Sequence, residues 1–144
     1  MKITRLLAVS GLGLVALLAG ASGAQAWTWA SSSNPIVMSG GAGYGSISSV
    51  NYNTGVLKST LRDTVLDGER IYARGYADYT CDFTFESGRR ADGGSSYAAM
   101  ADRNFTSCYP YGVGQYSYQI ELCRDKPYVP DPCSDDKRGW HGIN

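Results

Sequence analysis

The sequence predicts an all-β fold, a small antiparallel β-sandwich or partly open barrel stabilised by two disulfides and ending in an irregular C-terminal tail. Three observations carry that expectation. Apolar and polar residues alternate over long stretches between residues 44 and 123. Turn residues punctuate the stretches at Asn53-Thr54-Gly55, Asp67-Gly68 and Tyr109-Pro110-Tyr111-Gly112. Beyond residue 26, apolar residues nowhere keep helical spacing over three turns.

Residues 1–26 read as an export signal and stay outside the fold. Lys2 and Arg5 make a positive start, Leu6 to Gly20 is apolar but short and glycine-rich for a membrane span, and Ala24-Gln25-Ala26 fits signal cleavage. The alternative is an uncleaved anchor. No lipobox cysteine follows. Cleavage leaves a secreted chain of 118 residues from Trp27, with no membrane span.

Residues 27–43 are rich in Ser and Gly and show no sustained period, which predicts a flexible arm carrying Trp27 and Trp29 as docking rings. The single secreted β-domain is expected over 44–144. Tyr44, Ser46, Ser48, Val50 and Tyr52 share one face of a first strand. After the turn at Gly55, Leu57, Ser59, Leu61, Asp63 and Val65 share a face of the second, completing a hairpin.

Asp67-Gly68 then introduces the longest alternation. Ile71, Ala73, Gly75, Ala77, Tyr79, Cys81, Phe83 and Phe85 fall on the core face, with Arg70, Tyr72, Arg74, Tyr76, Asp78, Thr80, Asp82 and Thr84 opposite. Fifteen residues exceed an ordinary strand, so a bulge or bend is expected near Gly75. Residues 86–96 read as a polar loop and 97–100 as a short strand. Tyr116, Tyr118, Ile120 and Leu122 mark a last strand into Cys123, and the tail begins near 124.

The four cysteines, Cys81, Cys108, Cys123 and Cys133, form an even set in a small exported chain, which reads as two disulfides. Three pairings are possible; short loop closure favours Cys81–Cys108 with Cys123–Cys133. Such links suit a core short of aliphatic residues. The exported part holds only 15 Leu, Ile and Val against 17 aromatic residues, so burial must rely on rings.

Charge and chemistry exclude more than they identify. With 13 Lys+Arg against 13 Asp+Glu, the formal net charge is zero, which argues against nucleic acid as a partner. A single histidine, His141, sits in the glycine-flanked tail and makes a poor catalytic base. Neither G-x-S-x-G nor S-x-x-K occurs, and Gly41-Ala42-Gly43-Tyr44-Gly45 precedes a strand rather than a helix, unlike a phosphate loop. Neither a catalytic residue nor a cofactor is therefore expected. Glu121 is the carboxylate to test first for a small hydrolase.

Asp63, Asp67 and Glu69 lie close enough in sequence to raise calcium, although their spacing is not that of an EF-hand loop. The alternative is a role in the turn and strand register.

The candidate binding residues are Arg70, Tyr72, Arg74 and Tyr76. Their side chains recur about every 6–7 Å along one strand face. Rings at that interval can stack on sugars, and arginines can grip carboxylate or phosphate. The competing expectation is sheet packing, in which the same residues pair across strands. The leading functional expectation is a secreted, non-enzymatic domain binding an extracellular or cell-envelope component such as cell-wall polysaccharide, through this row or loop 86–96. The alternative is a secreted inhibitor or antagonistic, bacteriocin-like protein that engages an extracellular protein through a rigid loop, 86–96 or 124–133.

Two motifs add a resemblance. Leu61-Arg62-Asp63-Thr64, Asp67-Gly68 and Ile71-Tyr72 fit L-(K/R)-D-T-x-x-D-G-x-x-(V/I)-Y, and Cys123 with Asp131-Pro132-Cys133-Ser134 fits a cysteine followed by a D-x-C-S ending. Over residues 44–134 the chain resembles a family of small secreted actinobacterial proteins without an assigned function. The resemblance implies export, β structure and a Cys123–Cys133 link. Cys81 and Cys108 are less clearly part of the pattern, and no catalytic residue carries over.

Overall fold

Ten strands and no helix form the described part of the chain. The structure, a computed structural model, describes residues 26–51, 54–78, 83–91, 94–106 and 115–143. The strands are β1 (Ala26–Ala30), β2 (Ile36–Met38), β3 (Gly41–Asn51), β4 (Thr54–Asp63), β5 (Arg70–Asp78), β6 (Phe83–Glu86), β7 (Ala98–Ala99), β8 (Arg103–Thr106), β9 (Gln115–Asp125) and β10 (Arg138–Ile143). The first sheet is centred on the β3–β4 hairpin, with β1 and β2 in succession along β3 and β8 and β7 along β4. The second runs β10-β9-β5-β6. All the named strand pairs are antiparallel. No helix among the described residues is long and apolar enough to cross a membrane.

The two sheets face each other across one core, making a sandwich. Alternation along β4 turns Gly55, Leu57, Ser59, Leu61 and Asp63 inward, as the sequence pattern requires. Trp29, Ile36 and Ile47 join Leu57 and Leu61 from the first sheet, and Ala73, Ala77, Phe85, Ile120 and Leu122 meet them from the second.

Glycine makes the closest approaches possible. Gly55 pairs with Phe105 across the first sheet, and Gly75 with Phe85 across the second. A Cβ on Gly55 would come within 2.3 Å of the Phe105 ring, and one on Gly75 within 2.1 Å of the Phe85 ring. Each ring covers its glycine, and the two rings stack at 4.2 Å between centroids, joining the sheets.

Three expectations need correction. Residues 27–43 are not an arm outside the sheet: they supply β1, β2 and the start of β3, and Trp29 and Ile36 are buried in the core. Short strands pair here despite Ser and Gly because β3 offers a long edge to pair with. The long alternation is two strands rather than one bent near Gly75. Ala77 pairs with Phe83 in an antiparallel ladder, so β5 and β6 are neighbours, and Phe85 shares the face of Gly75 because the two lie directly opposite each other. The tail is irregular only from 126 to 137, after which β10 pairs along β9. Of the two expected disulfides, Cys123–Cys133 is present. Cys81 and Cys108 lie outside the described residues, as does the segment 1–25.

Candidate binding surface on the second sheet

Strand β5 places Tyr72, Arg74 and Tyr76 on the outer face of the second sheet, but the chain then covers part of that face. Beyond β6, Ser87 N–H donates to the Ala73 carbonyl (2.9 Å), and Arg90 exchanges backbone bonds with Ile71 (2.8 and 3.0 Å), so residues 87–90 continue along β5. From the other side, the Cys123–Cys133 disulfide pins the tail to β9. Arg124 N–H donates to the Pro132 carbonyl (2.9 Å), and Ser134 N–H to that of Leu122 (2.7 Å).

Tyr72 is trapped between these segments at 0% exposure. Its hydroxyl donates to Asp131 (2.7 Å) and accepts from Arg74. The Arg89 guanidinium lies 4.6 Å above the ring centre, held by Asp125 (2.7 Å) and Glu86 (3.1 Å). Arg74 also faces Glu86 (3.6 Å) and Asp131 (3.8 Å). Burial, reinforced by the Asp131 hydrogen bond, pushes the Tyr72 phenol well above its ordinary value of 10.0. The same bond, with the Lys126 N–H, holds the Asp131 carboxyl below its usual range. Tyr72 is thus a structural residue and cannot touch a ligand; the tail supplies the polar partners that allow its burial.

Arg70 stays exposed at the start of β5, opposite Asp125. Tyr76 stays 36% exposed, flanked across the strands by Thr84 and Gln119. Together with Arg74, Glu121 and Lys137, these residues line an open cavity of about 290 Å³. Glu121 meets Lys137 at 3.2 Å. Gln119 and Lys137 did not stand out as site residues in the sequence. The polar alternation of β9 signals Gln119, whereas Lys137 arrives only because the tail folds back.

The three carboxylates considered for calcium gather around a cation of the chain itself. Arg124 reaches Asp63 (3.6 Å), Asp67 (3.0 Å) and Glu69, the last as a charge contact at 2.6 Å rather than an aligned hydrogen bond. It also donates to the Ser39 carbonyl at 3.1 Å. Asp63 and Arg124 are both buried, so each supplies the counter-charge the other needs. Among the described residues, one trio could otherwise bring ligand atoms together, Glu121, Cys123 and Cys133, within 4.8 Å. Its two sulfurs are already bonded to each other.

His141 lies on β10 opposite Ser117, and the loop expected over 86–96 follows β5 as far as Arg90. In comparisons with known proteins, no family model, no curated protein and no solved structure matches the chain.

Proposed function

We propose that this is an exported, non-enzymatic β-sandwich that binds a hydroxyl-rich polysaccharide of the extracellular space or cell envelope on the outer face of its second sheet. The observation that carries the reading is the half-exposed Tyr76 ring set between Thr84 and Gln119 in an open cavity. An apolar ring face beside amide, hydroxyl and paired charged groups suits a sugar, whose faces are apolar and whose edges carry hydroxyls. The carboxylates there support binding rather than acid–base chemistry. Glu121 in the cavity is engaged by Lys137, and Glu86, opposite Arg74 outside its lining, by Arg74 and Arg89. Export is supported by the charged, apolar and small-residue pattern of residues 1–26 and agrees with a structural disulfide.

The test is co-sedimentation of the oxidised protein with purified cell walls and insoluble polysaccharides. The native protein is expected in the pellet, and Tyr76→Ala should weaken retention by about tenfold, the loss of one ring contact worth about 1 kcal/mol or slightly more. Gln119→Ala should weaken it less. Absence of native retention on every matrix, or retention unchanged in both variants, would overturn the reading.

A further inference from the structure

A second surface lies at one end of the sandwich. Six large hydrophobic side chains are exposed among the described residues, and five belong to three segments that each lend residues to the lining of one groove. They are Val37 on β2, Val65 and Leu66 after β4, and Tyr128 and Val129 in the tail loop. Val37, Met38 and Val65 border an open groove of about 680 Å³, with Lys126 and Pro132 of the tail loop on its wall.

The groove interior is acidic. Its lining carries Asp67, Glu69, Asp135 and Asp136 against two cations, Arg124 and Lys126. Both cations are committed: Arg124 to Asp67 and Glu69, and Lys126 to Glu69 (3.3 Å). Asp136 has Arg138 at 2.7 Å. Asp135 has no cation within ion-pair distance among the described residues, and it is exposed.

We infer that this groove docks a basic, partly apolar segment of a partner protein. Charge selects the occupant: an acidic cleft repels nucleic acid and acidic polymers and favours Lys or Arg. The aliphatic border selects further. Val37, Met38 and Val65 match the alkyl stems of Lys and Arg and the apolar residues beside them. The basic head then reaches Asp135. The walls are already fixed, so ordering costs little on binding. Thr64 N–H donates to the Gly40 carbonyl (2.9 Å), Arg124 holds the turn after β4, and Asp131 accepts from Lys126 N–H (2.9 Å) inside the disulfide loop. This inference is independent of the polysaccharide reading.

The experiment titrates the isotopically labelled, oxidised protein with three blocked peptides and follows backbone amide shifts. One alternates leucine and lysine, one leucine and glutamate, and one serine and lysine. The leucine–lysine peptide should bind with shifts centred on Val37, Val65 and Asp135, weaken with added salt, and outcompete both twins. Asp135→Asn and Val37→Ser change exposed side chains and should keep the native spectrum while each raising Kd about fivefold. No saturable binding of the leucine–lysine peptide, equal binding of the glutamate twin, shifts centred elsewhere, or unchanged affinity in both variants would overturn the inference.

Discussion

Arg124 shows how a charged side chain can be committed to an interior position. It shares its strand face with Ile120 and Leu122, yet at its end of the sandwich the facing residue is Asp63, 0% exposed. Removing either charge strands the other in a poorly solvated site. Arg124→Met is therefore expected to lower stability by about 3–5 kcal/mol, measured by urea unfolding. Calcium should not shift the midpoint of the native protein, because the carboxylates that could hold it already surround a guanidinium. A rise in midpoint with calcium would contradict that arrangement. Local sequence reveals the acidic trio. It does not reveal the cation, 57 residues away from Asp67.

At the scale of elements, the tail from 126 to 137 decides what the second sheet presents. A disulfide closing ten residues contributes about 2–3 kcal/mol by limiting the unfolded chain. Asp131 then ties the loop to Tyr72 and to the Lys126 amide (2.9 Å). Its carboxyl is held below the ordinary value of 3.8, so the folded state favours the ionised form. The stabilisation is present above that pH and fades as pH falls through the lower folded value. Native protein should thus lose stability more steeply than Asp131→Asn as pH falls below the ordinary carboxylate value, because the variant has already lost the interaction at neutral pH. Parallel curves in urea titrations across that range would show that Asp131 does not hold the loop. The β5–β6 hairpin makes a related point. Periodicity reports which face a residue occupies but not where a strand reverses, since both strands of the hairpin keep the same alternation.

At the scale of the molecule, the sheets are joined where Phe85 and Phe105 stack, each over a glycine. Gly75→Ala places a methyl 2.1 Å from Phe85, and the ring must move. The expected cost is about 1–3 kcal/mol. Phe85→Leu in the same chain should recover part of it, so a double-mutant cycle by thermal unfolding reads the contact directly. Strictly additive losses would mean that ring and methyl do not meet.

By itself the sequence determined the all-β class, the alternation along β4, the inward face of β5, the turn at Asp67-Gly68 and the strand that runs through Cys123. These depend on neighbours one to four residues apart, where backbone geometry dictates the pattern. The tertiary structure alone decided that residues 27–43 join the first sheet and that Tyr72 lies beneath the tail while Tyr76 remains open. It also decided that Asp63, Asp67 and Glu69 share Arg124. Each of those outcomes turns on which distant segment lands on a given face. Tyr72 and Tyr76 are alike in sequence, and Asp131 and Arg89, brought over Tyr72 by the folded chain, bury the one and not the other.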